Sequence, residues 1–517
     1  MKTRLLMIGG LLGGMLFHSC YNDLGNYDYR EINEVMIGDA GFADTVYYYR
    51  SYVDTLRISP QVDASLIQDP ENYEYNWILG GNEIGNQKDL VWPVNRPQGN
   101  YVLYLRVKDK STGVVVTRQA DVRLQTNFST GWLVWGENED GEAQLDMLSF
   151  VNEDTLLMKD ILNGQDLPVL KKPTFLYVPN TYMRGNEIQL GSENGSYRLD
   201  RNSLIPVEDA HLKYVFWEPS LAGNCVLTDA NRLQNCQFAV IDGNLYFDNN
   251  LVAEGEKLGN PSNHYRGDYE LFKMGAKVGF DYNYMSAAIV VYDDDNKCFL
   301  YQGGSRFSGF SGYCQPVSNV AMNDEFWAPG KDFVTTINSR QSMISNYTIL
   351  KNSGASSSAD YYLYPYKINA GSFDVTFNDM SIRQMTNAEE IDNAEFYACS
   401  SQKAYIFYTV GSRLYGFDYS TSRGKLLLDF GGDDRIWENG QPVTETITAM
   451  WNEQYMGYGV TFGDVFYLGL YDSSKPASSS GRLVGYRVID DANDIIIEEI
   501  PGSSRSGFCK IASIAYK

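Results

Sequence analysis

The side chains able to act on a substrate are few and scattered through this 517-residue sequence. Only three histidines occur, His18, His211 and His264. None has a nucleophile motif beside it, which argues against a histidine-based triad, and three are too few for a His-rich zinc site. No G-x-S-x-G, H-E-x-x-H, P-loop or G-x-G-x-x-G before a helix is present. Glu137, Glu139, Asp140 and Glu142 supply the paired carboxylates that glycoside hydrolysis needs. Their neighbourhood reads as an exposed turn, where a raised pKa is hard to arrange, so the expectation is a solvated acidic turn. Asp293-Asp294-Asp295-Asn296 clusters oxygens as a calcium loop does. No 12-residue loop with a terminal Glu follows, and a hairpin tip favours Asp and Asn in any case. Asp429-Phe430-Gly431, without a catalytic loop elsewhere, reads as a strand end and turn. What remains is aromatic. Trp217, Trp327 and Trp437 lie in polar, turn-rich surroundings. A flat ring flanked by acids and amides holds a sugar face or a peptide side chain by stacking plus hydrogen bonds. These three are the candidate ligand-binding residues, against the alternative that each packs beneath a loop. Trp132, Trp135 and Trp451 lie in strand-like runs and read as core. No catalytic residue and no metal ligand is assigned.

The elements that must hold these residues read as strands. Asp54 to Ile58, Tyr73 to Leu79 and Gly99 to Asp109 alternate polar and apolar, with turns at Gly80-Gly81 and at Lys110-Ser111-Thr112-Gly113, the latter leading into strands at 114–116 and 120–124. Short alternating strands with polar turns mean a β-sandwich over residues 33–126. From Gly131 onward strand pairs recur without a convincing amphipathic helix. Residues 213–217, 237–247, 286–292, 298–302, 404–409, 413–418, 455–461, 465–471, 482–488 and 510–516 are among the predicted strands. A recurring phrase is a turn followed by an aromatic-rich strand ending in a polar residue, at 244–250, 297–304, 413–420 and 482–490. Loose self-similarity at such spacing is the signature of a β-propeller, with seven blades of about 55 residues favoured and eight of about 48 the alternative. Two stacked sandwiches are the rival arrangement. The strand at residues 509–516, with almost no tail after it, is expected to complete a blade begun by residues 131–135, because a ring needs its first and last sheets joined.

The amino terminus gives a location. Lys2 and Arg4 precede a 13-residue apolar run from Leu5 to Phe17. That run suits a secretory signal and is short of the ~20 residues of a spanning helix. It ends in Phe17-His18-Ser19-Cys20, a small residue followed by cysteine, as in a bacterial lipobox. Residues 1–19 are therefore expected to be a lipoprotein signal peptide. Cys20 would be the lipidation site, and residues 20–32 a tether to the first domain. Several acyl chains give stable anchoring where one is marginal. The covalent lipid is the only prosthetic group expected; no other cofactor and no calcium is. The formal charge of −23, with 65 acids against 42 bases, argues against a nucleic-acid partner. Losing Lys2 and Arg4 takes it to −25. Cys225, Cys236, Cys298, Cys314, Cys399 and Cys509 remain, in a compartment that permits disulfides. Cys225 and Cys236 flank a hairpin and are the one pair singled out; buried thiols in strands are the alternative.

The start at Cys20-Tyr21-Asn22-Asp23-Leu24-Gly25-Asn26-Tyr27-Asp28-Tyr29, the sandwich with Trp77 as core tryptophan, and Gly131-Trp132-Leu133-Val134 opening the second domain (residues 127–517) form a combination. It resembles the PKD-like-family lipoproteins of Bacteroidota, encoded beside SusC/SusD-type outer-membrane importers. The resemblance implies an all-β chain, a PKD or immunoglobulin-like sandwich followed by a β-propeller. It further implies a lipid-anchored outer-membrane protein at the cell surface that helps a SusC/SusD-like importer capture oligopeptides or glycans. The family brings no catalytic residue to these positions, so the chain is not expected to be an enzyme. The alternative is a secreted propeller hydrolase or lyase acting on glycans, its acids gathered from several blades.

Overall fold

The computed structural model describes residues 31–51, 53–96, 98–151, 154–179, 187–217, 219, 223–233, 236–249, 258–282, 286–305, 309–317, 324–339, 344, 346–370, 375–431, 444–452, 464–491 and 493–517. The chain forms two compact units, Met1–Gln125 and Thr126–Lys517.

The first unit is a sandwich. A five-stranded sheet runs in the order Val46–Arg50, Val115–Gln125, Gly99–Asp109, Tyr73–Leu79, Asn82–Gly85, with only the first pair parallel. Two smaller pairs, Thr55–Ile58 with Leu90–Pro93 and Val35–Ile37 with Val62–Ala64, share its core. The alternation in the sequence has a direct cause: Leu103, Leu105 and Val107 point inward while Arg106 and Lys108 face water. Trp77 is fully buried; its indole N–H donates to the Gln87 carbonyl at 2.9 Å, and Phe42 meets its ring edge-on at 5.3 Å. Residues 114–116 and 120–124, read separately in the sequence, form one strand, Val115–Gln125.

The second unit contains, among the described residues, seven antiparallel sheets. They are blades of a propeller. Blade 1 runs Lys510–Tyr516, Gly131–Glu137, Ala143–Val151, Asp154–Met158. Blade 2 runs Pro173–Tyr177, Glu187–Ser192, Tyr197–Asp200, Pro206–His211, and blade 3 runs Leu227–Leu233, Cys236–Ile241, Asn244–Asn249. Blades 4 to 7 start at Gly279–Tyr282, Asp332–Asn338, Tyr397–Cys399 and Glu445–Asn452. In blade 1 the closing strand lies beside both neighbours' first strands, Pro173–Tyr177 and Glu445–Asn452.

Seven apolar clusters sit at the seven junctions. Leu133 and Trp135 meet Leu176 and Ile188 between blades 1 and 2; Leu227 and Tyr246 meet Phe175 between 2 and 3; Phe238 meets Phe280 between 3 and 4. Tyr292 and Phe299 meet Tyr364 and Tyr366 between blades 4 and 5, Tyr347 meets Tyr408 between 5 and 6, and Phe407 meets Phe466 between 6 and 7. Tyr467 and Leu483 meet Trp132 and Ile511 between blades 7 and 1, which closes the ring. Successive residues of one strand enter different clusters. Ala287, Ile289 and Val291 point to blade 3, whereas Ala288, Val290 and Tyr292 point to blade 5. A strand buried on both faces is apolar at every position, which explains the continuous runs in the sequence.

Closure joins the two expected segments: Trp132 pairs with Tyr516, Val134 with Ile514 and Trp135 with Ser513, with a bulge before Gly136. Other expectations need correction. Residues 213–217 are not a strand; Leu212–Val215 is a 3-10 turn, because the His211 imidazole accepts from the Lys213 N–H and Phe216 is drawn beneath Tyr246. Blade 5, Asp332–Asn338 through Val375–Asp379, was illegible, since its threonines and tyrosines blur the apolar period. Cys225 and Cys236 do not pair. Cys236 opposes Leu233 at one end of the hairpin, while Cys225 precedes Leu227, which opposes Ile241 at the other. Five strand residues separate the ends by roughly 17 Å, beyond a disulfide's reach. Cys225 is buried at the junction of blades 2 and 3. The strand expected at 455–461 lies outside the described residues, as do Cys20 and Trp437.

Candidate functional site

The three candidate tryptophans have different fates. Trp327 ends the short helix Asp324–Trp327 and is 5% exposed, enclosed by Phe299, Tyr366 and Phe377 at 5.6 to 6.0 Å. It is core of the junction between blades 4 and 5, not an open platform; the aromatic cluster there pulls the helix onto the sheet. Trp437 lies outside the described residues. Trp217 is 70% exposed. Trp77, Trp92, Trp132 and Trp135 are buried and Trp451 half-buried, so Trp217 stands alone among the described tryptophans in offering an open face.

Its backbone is held on both sides. The outer strand of blade 2, Pro206–His211, bulges between the Tyr197–His211 and Leu199–Pro206 pairs, putting Glu208 and Asp209 outward. Asp209 takes a left-handed backbone at φ 53° and its carbonyl accepts from the Arg198 guanidinium at 2.8 Å. His211 then stacks edge-on to Tyr197 at 4.8 Å, and its Nδ1 accepts from Lys213 N–H at 3.0 Å. An Nδ1 that accepts must be unprotonated. Burial first, and the Lys213 ammonium second, lower the His211 pKa and favour that form. In the capped 3-10 turn Leu212 points in and Tyr214 out, with the Lys213 ammonium 5.0 Å from the Tyr214 ring. Phe216 plunges into the junction of blades 2 and 3, while Trp217 N–H donates to Leu258 O at 3.0 Å and Leu258 N–H to Val215 O at 2.6 Å. An exposed indole thus sits on a fixed backbone.

Most of the carboxylates singled out in the sequence have structural partners. Glu137 meets Lys510 at 3.0 Å, and Glu139 accepts from Ser478 N–H at 3.1 Å and its hydroxyl at 2.5 Å. Those bonds lower the Glu139 pKa, the opposite of what a general acid requires. Asn138 Oδ1 accepts from the N–H groups of Asp140 and Glu142 and shapes the turn. In the second acidic turn, Asp293 accepts from Tyr265 hydroxyl at 2.6 Å and from the N–H groups of Asp295 and Asn296. Asp294 is bracketed by Lys273 at 2.7 Å and Lys297 at 2.9 Å. Lysines and amides therefore occupy the oxygens a cation would need.

Sequence reasoning missed Lys213, Tyr214 and the His211 cap. The available signal was Tyr214-x-x-Trp217 after a histidine, a spacing that breaks the alternation of a strand. It also missed two buried ionic ties. Asp146 accepts from Lys159 Nζ at 2.7 Å, Gln144, Asp160 N–H and Cys509 N–H, and Lys159 continues to the carbonyls of Ser478 and Gly507 in blade 7. Arg482 forms a two-pronged pair with Glu445 inside blade 7.

Residues 20–169 match the model of the PKD-like family. The match takes in residues 20–125 of the first unit and continues through the strands Gly131–Glu137, Ala143–Val151 and Asp154–Met158 of blade 1. No curated protein matches the chain. Among solved structures, a quinonprotein alcohol dehydrogenase-like protein from Bacteroides thetaiotaomicron is similar at 13% identity and TM-score 0.38, over 92% of this chain and 99% of that one. PorZ, a surface component of the type-IX secretion system of Porphyromonas gingivalis, is similar at 11% identity and TM-score 0.29, over 80% and 51%. The WD40 domain of SCAP from fission yeast is similar at 8% identity and TM-score 0.31, over 68% and 79%. The propeller assignment stands on the sheet order and the seven junctions, not on these likenesses. Among the described residues no helix is long and apolar enough to cross a membrane.

Proposed function

We propose that the chain is a lipid-anchored accessory protein of the outer membrane, exposed at the cell surface, that captures oligopeptide or glycan for a SusC/SusD-like importer. The observation that carries the reading is a coincidence of position: the PKD-like family match begins at residue 20, the cysteine that the lipobox motif makes the first residue of a lipidated chain. The paired state of Glu137 and Glu139 favours binding over hydrolysis. In this reading a sandwich follows the lipid tether, and the propeller offers a broad loop-bearing surface.

Three measurements test it. Cys20→Ala should abolish palmitate labelling and outer-membrane recovery; a variant still labelled and still membrane-bound defeats the anchor. Pull-down of the full chain from mild detergent should recover an importer pair, and recovery as a free monomer alone defeats the accessory role. Turnover of any member of a glycan and peptide panel by purified protein would instead make the chain an enzyme.

A further inference from the structure

We infer that Trp217, flanked by Tyr214 and Lys213, is a stacking platform for the ring of an uncharged sugar, so that the captured nutrient is a neutral glycan; this rests on the nutrient-capture reading above. The argument starts from cost. An indole left 70% exposed forgoes most of the burial free energy a tryptophan offers. The fold spends fixed backbone on it as well: the His211 cap, the buried Phe216 anchor and the two hydrogen bonds to Leu258 hold the segment from either side. Such pre-organisation lowers the ordering cost of binding rather than raising the stability of the free protein.

The flank selects the ligand class. The bulge in Pro206–His211 turns the acceptors Glu208 and Asp209 outward, and Lys213 supplies donors. An exposed apolar ring, with donors and acceptors on the chain that leads into it, suits a pyranose, which has an apolar C–H face and a rim of hydroxyls. A formal charge of −23 disfavours polyanionic glycans. Proline-rich peptides dock in grooves lined by several aromatics. Here no other ring among the described residues stacks on Trp217, and the Tyr214 ring is engaged by the Lys213 ammonium.

The test uses the full chain against an array of uncharged hexose and pentose oligosaccharides and a set of proline-rich peptides, followed by calorimetry on any hit. At least one neutral oligosaccharide should bind, and Trp217→Ala should weaken it by about tenfold or more while Trp217→Tyr retains most of the affinity. Bound sugar should also protect the emission of the wild type, but not of Trp217→Phe, from acrylamide quenching. Trp217 is so exposed that Trp217→Ala should fold and melt as the wild type does. No binding of any neutral oligosaccharide, binding unaffected by Trp217→Ala, or Trp217-dependent binding of peptide only would each overturn the inference. Importer pull-down with Trp217→Ala separates the two levels: co-purification that persists while sugar binding is lost upholds both, whereas failure of the wild type to co-purify defeats the accessory role alone.

Discussion

Asp146 shows how much one side chain can tie together. It is fully buried, and its oxygens accept from Lys159, Gln144 and two backbone N–H groups. Removing one partner of a buried ion pair leaves the other groups unsatisfied, at about 3 kcal/mol. Unfolding entropy of about 2.1 cal/mol/K per residue gives roughly 0.8 kcal/mol/K for a unit of this size, so Asp146→Ala should lower Tm by about 4 °C. Lys159→Met keeps the apolar stem and should cost less; calorimetry of both variants checks the order. His211 carries a pH prediction. Its folded pKa lies below the ordinary 6.5, because burial and Lys213 disfavour the cation. The neutral cap is therefore complete above 6.5 and is lost as pH falls through the lower folded value. Acrylamide quenching of Trp217 should rise from pH 7.5 to pH 5, measured as the difference between wild type and Trp217→Phe. In His211→Asn, which keeps a capping acceptor without a proton to gain, that change should vanish. At this scale the sequence spoke weakly. Trp217 and Trp327 had equally polar neighbours, and only packing distinguished the ring facing water from the ring enclosed by Phe299, Tyr366 and Phe377.

Elements were more legible, for a physical reason that also sets the limits. Tyr73–Leu79 and Gly99–Asp109 were bounded correctly, since a sheet with one wet face writes a period of two into the chain. Lys510–Tyr516 and Arg413–Asp418 were visible as apolar runs, because a blade strand is dry on both faces. Asp332–Asn338 was invisible: its Thr336 hydroxyl meets that of Thr348 at 2.9 Å, so a buried position carries a polar residue. Leu212–Val215 misled in the other direction, as an apolar run whose conformation is decided by one imidazole. The bulge in the closing strand gives an element-scale prediction. A Cβ at Gly136 would stand 2.2 Å from the Lys510 carbonyl and 2.7 Å from Cys509 Sγ. Backbone cannot yield as a side-chain tip does, so Gly136→Ala should push the strands apart at about 1–3 kcal/mol. Gly312 has nothing within 4 Å of its added Cβ and an ordinary φ, so Gly312→Ala should leave Tm unchanged. Equal effects of the two would refute the bulge as the cause.

The ring as a whole has one seam at which sequence-distant strands meet. Six of its seven sheets are built from consecutive strands, and the seventh joins Gly131–Glu137 to Lys510–Tyr516. Any propeller unclosed at that seam would expose two apolar faces, those of the junctions between blades 7 and 1 and between 1 and 2. The closing strand fills both, with Ile511 and Ile514 on one side and Ala515 on the other. Deleting residues 509–517 removes two buried isoleucines worth about 2 kcal/mol each and several ladder hydrogen bonds worth about 1 kcal/mol each. It also strips Asp146 of the Cys509 N–H and Trp132 of its edge contact with Tyr516 at 5.0 Å. The total, on the order of 10 kcal/mol, rivals the whole stability of a typical domain. The truncated chain should therefore melt at least about 10 °C lower or fail to accumulate as folded protein. Where it does accumulate, Trp132 and Trp135 should become quenchable, because the strand that covers them is gone. The first unit has its own core and should be untouched, so a protease-resistant fragment near residues 31–125 should persist. An unchanged melting temperature would mean that the seam bears no load, and that the sheets are held by their consecutive neighbours alone.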